Sequence, residues 1–314
     1  MKTSTLHITN GDTTTKYLKK LHFSGDFITW REMCCEGKTT TDVGSESFWK
    51  NRYIFFKDTY KVSKQKFVEY TLKEYRNLCN KKESKEIVLW FNYDLSCQIN
   101  MLAVISWLKT YRKGYLISLV CSSKVKSSKK LKSLPELTKN QITQHYKDRI
   151  HLSQDDIEYA DYIWQLYCSD SPLRLETIYK FNPMSPFQHL AKALETHLQR
   201  FPSLTNGLNN EENFILQTAN SSKISTKKQF INTLIQEQEI FGFADLQYQV
   251  TLERLKKSFS SFNPVKLSKK GNQLLANQIN FYGELRSEDA YLGGAKKYSF
   301  LFNNQSKKLL QITS

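Results

Sequence analysis

Seven residues, six of them polar and one a glycine, carry the most concentrated chemistry in the chain, and they fall in three short groups: Asn10-Gly11-Asp12, Arg31-Glu32, and Asp94 with Gln98. Each group follows an apolar run of strand length, namely Leu6-His7-Ile8-Thr9, Phe27-Ile28-Thr29-Trp30 and Ile87-Val88-Leu89-Trp90-Phe91. In an open parallel sheet, ligands bind beyond the carboxyl ends of the strands. Three carboxylates, an arginine and two amides are therefore expected at one rim. Such a rim predicts a site for a phosphate-bearing ligand, a nucleotide or a nucleic acid. Gly11 would allow close backbone approach, Arg31 would pair with phosphate oxygens, and a helix start would supply free N–H groups. If Asp12, Glu32 and Asp94 also held Mg²⁺, metal-assisted hydrolysis or phosphoryl transfer would become available. The competing expectation gives the same residues structural work, with Asp12 and Asp94 capping helices and Arg31 in a buried ion pair.

Other enzyme signatures are missing from the sequence. There is no G-x-G-x-x-G, no G-x-x-x-x-G-K-[ST] and no H-E-x-x-H, so dinucleotide, P-loop and zinc-protease chemistry lack their defining residues. His189 and His197 lack a third ligand and read as ordinary half-buried histidines. A second class of function is nucleic-acid binding. No acidic residue occurs between Asp94 and Glu136, where Lys109, Arg112, Lys113, Lys124, Lys126, Lys129, Lys130 and Lys132 accumulate as a phosphate-contacting stripe would. Further on, Gln247, Gln249, Arg254, Lys256 and Lys257 share a helical segment, with Lys266, Lys269, Lys270, Lys296 and Lys297 around it, and glutamine can read adenine in the major groove. A third class is a protein-interaction adaptor that meets its partners through both regions.

The elements that must position these groups alternate strand and helix in the first part of the chain. Asn10-Gly11 ends the first strand, helices are expected over Thr13 to Leu21, Ser47 to Tyr60, Lys64 to Cys79 and Leu95 to Leu108, and Tyr115 to Cys121 reads as a further buried strand. This alternation predicts a parallel, Rossmann-like sheet. The serine- and lysine-rich stretch from Ser122 to Ser133 reads as a loop, which places a boundary near Leu134: an α/β domain over 1–134 and a mostly helical region over 135–314. In the second part Ser153 caps a helix carrying Ile157, Ala160, Ile163, Trp164 and Tyr167 on one face, Pro186 opens a helix with Leu190, Leu194 and Leu198, and three short helices follow over Leu208 to Ala219, Lys228 to Glu239 and Ala244 to Lys257. Tyr298 to Phe302 and Leu309 to Ile312 flank Asn303-Asn304 as a hairpin. Three helices and a β-ribbon are the parts of a winged helix, a DNA-binding or protein-docking shape.

Composition bounds the rest. The 314 residues are 39% hydrophobic and 13% aromatic, enough for packed cores. No run approaches the length of a membrane span, Met1 to Asp12 lacks a signal-peptide layout, and the six cysteines form no C-x-x-C pair, so a cytoplasmic, reducing setting is expected. A net charge of +16 favours anionic partners.

Leu6 to Asp12, Gly25-Asp26 through Trp30-Arg31-Glu32-Met33, Glu36-Gly37, and Leu89-Trp90-Phe91 with Asp94-Leu95 and Gln98 resemble the bacterial family called domain of unknown function 1835. The likeness continues through Arg149, Ala160, Trp164, Pro172, Arg200-Phe201-Pro202-Ser203, Asn206-Gly207-Leu208 and Glu212 to Gly293-Gly294. One position departs: Tyr93 stands where the family tends to carry histidine or glutamate. The resemblance implies the two-part organisation and supplies no reaction.

Overall fold

Apolar runs bounded by turn residues fold as strands here, and helices start behind polar caps. The computed structural model describes residues 5–121, 131–178, 186–238 and 240–312. In chain order the first elements are β1 (Thr5–Asn10), α1 (Gly11–Lys20), β2 (Asp26–Trp30), β3 (Gly37–Lys38), α2 (Glu46–Tyr60), α3 (Lys64–Phe67), which runs through a π turn at Val68–Leu72 into α4 (Lys73–Asn80), β4 (Glu86–Phe91), α5 (Leu95–Tyr111) and β5 (Leu116–Cys121). Then come α6 (Lys139–Lys147), β6 (Ile150–His151), α7 (Gln154–Tyr167), α8 (Leu175–Ile178), α9 (Leu190–Leu198), α10 (Asn210–Ser221), α11 (Lys227–Glu237) and α12 (Asp245–Arg254). The chain closes with β7 (Phe259–Phe262), β8 (Val265–Leu267), α13 (Lys269–Leu275), α14 (Tyr282–Leu285), β9 (Tyr291–Gly293), β10 (Ala295–Lys296), β11 (Phe300–Asn303) and β12 (Lys308–Gln311).

The main sheet has the order β2-β1-β4-β5-β6, and its first four strands are parallel, with Ile8 opposite both Ile28 and Leu89 and Leu89 opposite Leu119. β1 and β4 flank the point where the chain reverses its direction of travel across the sheet, so Asn10 and Asp94 leave their strands beside one another. Helix α1 covers one face, with Leu18 against Val88, Trp90 and Val120. Helix α5 covers the other. It is not one-sided: every residue from Leu95 to Leu108 is buried, because α7 and α9 pack on the side that faces away from the sheet.

The second part of the chain is therefore built into the first. β6 closes the sheet against β5, β9 pairs in parallel with β3 through Gly37 opposite Leu292, and one hydrophobic cluster draws residues from Leu6 through to Leu309. The fold is mixed α/β around a parallel-rich sheet. No helix among the described residues is long and apolar enough to cross a membrane. Helix α9 begins at Leu190 rather than at Pro186, and the hairpin expected near Asn303 is present, with Phe300 opposite Gln311.

Candidate functional site

At the strand ends each of the six polar side chains has a partner within the protein. Asp12 and Arg31 pair in a fork, Nε to Oδ2 at 2.9 Å and Nη2 to Oδ1 at 2.8 Å, and Arg31 also donates to the Tyr70 carbonyl at 2.8 Å. The guanidinium holds the Asp12 carboxyl below its usual range. Glu32 is sealed against Arg52, whose Nε donates to it at 2.8 Å while its other nitrogens bind the carbonyls of Met33, Glu36 and Lys38. Asp94 caps α5, accepting from the Cys97 amide at 2.8 Å, and burial pushes its carboxyl up to about 6. Asn10 donates to Cys97 Sγ and accepts from Asn100 at 2.8 Å; Gln98 donates to the Asn92 carbonyl at 2.7 Å.

The two helix starts at this rim differ. The first amides of α5 are occupied, Leu95 by the Ile240 carbonyl at 2.7 Å and Ser96 by the Phe241 carbonyl at 3.2 Å, so a segment from the second part of the chain fills the place expected for a ligand. The start of α1 carries no side-chain cap, and a side chain at Gly11 would meet nothing within 4 Å. Asp12, Glu32 and Asp94 are thus engaged separately and do not fit a shared Mg²⁺; among the described residues no three histidine, cysteine or acidic side chains are placed to hold a metal.

A larger cleft, of about 500 Å³, opens beyond the segment that leaves β2. Glu36, Gly37 and Lys38 form one side with Phe55 and Asp58 of α2, Arg200 and Glu211 another, Gln247, Thr251 and Arg254 of α12 a third, and Glu288 to Leu292 with Lys297 the fourth. The segments meet because β9 pairs with β3 and because Arg200, from the end of α9, reaches the Cys35 carbonyl and Glu36 Oε1, the latter at 3.4 Å. Tyr60 clamps the other oxygen of Glu36 at 2.5 Å.

Charge in this cleft is layered. Asp58, Glu288 and Asp289 are exposed at its mouth, where solvent screens them. Deeper, Arg200 is 4% and Lys297 6% exposed. Arg254 donates to Glu212 Oε1 at 2.5 Å, and Thr251 donates to Glu211 Oε1 at 2.7 Å. Burial raises the Glu211 carboxyl. Burial works in the same direction on Glu212, but Arg254 and Lys297 overcome it and hold that carboxyl low. Burial, with Arg254 and Arg200 close by, brings the Lys297 ammonium down to about 8 against the pull of Glu212. The Nε donors of Arg200 and Arg254 are buried without a hydrogen-bond partner among the described residues.

Sequence reasoning missed this cleft as a unit, although pieces of it were visible. Arg200 and Glu212 stand in the family-like motifs, and Lys296 and Lys297 read alike in the sequence as basic flank; the fold exposes Lys296 and buries its neighbour. Of the nucleic-acid candidates, Lys124, Lys126, Lys129 and Lys130 lie outside the described residues. Gln249 and Lys257 are exposed, whereas Gln247 is buried and bonds the Ala244 amide at 3.0 Å, and Arg254 is turned onto Glu212. Helix α12 thus faces the cleft with two of the residues that a DNA-reading face would need outward. His197 is fully rather than half buried, and burial lowers its imidazole to about 3.

No family model matches the chain, and no curated protein matches it. Among solved structures, the DNA-binding, cleavage and re-ligation domain of Plasmodium falciparum topoisomerase II superposes at a TM-score of 0.44 with 11% identity, over 80% of this chain and 41% of that one. The overlap spans less than half of that chain, and a likeness at this level carries no argument about the fold or the activity.

Proposed function

We propose that the chain binds a small phosphate-bearing ligand of the nucleotide class in the cleft between the β2–β3 segment and α12. The observation that carries this reading is a set of three buried or half-buried cations, Arg200, Arg254 and Lys297, around one cleft; among the described residues the Nε donors of both arginines have no hydrogen-bond partner, and the carboxylate nearest the Lys297 ammonium is 4.0 Å away. Basic and acidic side chains nearly balance in the lining, and Glu211 and Glu212 lie buried beside the cations, so net charge does not select an anion there; the donors without acceptors do. The outer carboxylates suit the hydroxyl or amine groups of such a ligand. In further support, Glu36, Gly37, Arg200 and Glu212, which carry the resemblance to the domain of unknown function 1835 family, gather at or beside this cleft.

Calorimetry with inorganic pyrophosphate at low salt tests the reading. Charge-assisted hydrogen bonds are worth about 1.5–3 kcal/mol, so Arg254→Lys, which keeps the charge beside Glu212 but loses the fork, is expected to weaken binding by about tenfold or more. Unchanged affinity in that variant would remove the cleft from the proposal. A second reading rests on the uncapped start of α1 and the open space at Gly11, with Arg31 as the anion partner. Loss of binding in Arg31→Ala, with Arg254→Lys unaffected, would favour it.

A further inference from the structure

Lys297 is the one amine in the cleft wall that the fold buries and then leaves under-paired. Its side chain is 8% exposed and makes no hydrogen bond to a described residue; the nearest carboxylate oxygen, Glu212 Oε1, lies 4.0 Å away and already accepts from Arg254 at 2.5 Å. Structural lysines this deep usually have a close acceptor, because an ammonium without one forfeits its solvation. Here the neighbours add to the burden, since Arg254 and Arg200 are both cationic.

We infer that the Lys297 amine condenses with the carbonyl carbon of a small aldehyde or ketone that also carries a phosphate, an inference that rests on the anion-binding reading of the same cleft and adds a covalent step to it. The guanidinium groups of Arg254 and Arg200 hold the phosphate, and the lysine beside them meets the carbonyl. With its titration brought to about 8, the side chain is a free amine in about half of the molecules at that pH, where an ordinary lysine is free in well under about 1%. The nitrogen lone pair attacks the carbonyl carbon, the carbon–oxygen π pair moves to oxygen, and a proton shifts from nitrogen to oxygen to give the carbinolamine. Glu211, whose acid form burial favours, gives a proton to the hydroxyl, which leaves as water as the C=N bond forms, and takes one back from the nitrogen. The sum is amine plus carbonyl giving imine plus water, with no oxidant or reductant.

Pyridoxal 5′-phosphate, an aldehyde with a phosphate, followed by borohydride reduction and peptide mapping, tests this. Lys297 is expected to be labelled at least tenfold faster than the exposed Lys296 beside it, with a rate that rises with pH around a midpoint near 8 and falls when pyrophosphate is added. Lys297→Arg, checked for an unchanged melting temperature, is expected to lose the fast phase. Labelling of Lys297 at the rate of Lys296, or a fast phase that survives in Lys297→Arg, overturns the inference. If the wild-type protein binds pyrophosphate but shows no fast labelling, only the covalent step falls; if it binds no pyrophosphate, the cleft reading falls and takes the step with it.

Discussion

Asp94 shows how a residue that looks like a site residue can be held by structure. Its carboxylate closes the start of α5, and the backbone at Gly242 lies so close that a Cβ there would sit 2.0 Å from Asp94 Oδ1. No room is left for a ligand on that oxygen. The carboxyl titrates at about 6 in the fold against an ordinary 3.8. A raised acid pKa means the native state holds its proton more tightly than the unfolded chain, so the benefit is present below about pH 4 and is lost as pH rises through 6, at a cost of roughly 3 kcal/mol. Asp94→Asn keeps the acceptor and removes the ionisation. Urea unfolding is expected to show that variant gaining on the wild type between pH 5 and pH 7.5; parallel pH profiles would show that Asp94 does not ionise at this cost. The capping role of Asp94 was one of two outcomes the sequence left open, because a strand-end aspartate before a helix looks the same whether its oxygen meets an amide or a phosphate. Lys297 was misleading for the opposite reason, since two adjacent lysines give no sign of which one the fold will bury.

Helix α5 is the element on which the site's neighbourhood depends. Its length and position were legible from the apolar run, but its burial on all sides was not, since the layers that cover its outer side come from α7 and α9, far along the chain. Inside it, Asn100 is fully buried and ties three segments together: it donates to Asn10 Oδ1 at 2.8 Å and to the Glu32 carbonyl at 2.5 Å, and accepts from the Cys34 amide at 2.9 Å. Replacing it with leucine, similar in volume, would leave three buried polar groups unmatched at about 1–3 kcal/mol each. Asn100→Leu is expected to lower unfolding free energy by more than about 3 kcal/mol, while Met101→Leu on the same buried helix costs less than about 1.5 kcal/mol. Equal losses in the two variants would mean that packing volume, not the polar tie, sets the stability of this region.

Across the whole molecule, local patterns gave most strands and helices and missed the pairings that join distant stretches. β3 and β6 are two residues long, too short to leave a periodic trace, yet the first brings Glu36 to Lys38 against β9 and the second completes the main sheet. The serine- and lysine-rich stretch looked like a boundary, but the cluster that fills the fold crosses it. A fragment ending at residue 134 would uncover the side of α5 that packs on α7, where Ser106 and Lys109 bond Asp161, and would lack the strand that closes the sheet. It is expected to bind a hydrophobic dye and to lack a cooperative melt, whereas the full chain melts cooperatively; a fragment with a sharp transition would show that the first part carries its own complete core. The cleft belongs to the same lesson, because its four sides lie more than a hundred residues apart in places and become neighbours only through these pairings.

The most direct test is to locate an anion. In crystals soaked with tungstate, a phosphate mimic with strong anomalous scattering, one dominant peak is expected in the cleft, within hydrogen-bonding distance of Arg254 and Lys297. A dominant peak at the start of α1 beside Arg31, or peaks confined to surface lysines, would contradict the cleft reading.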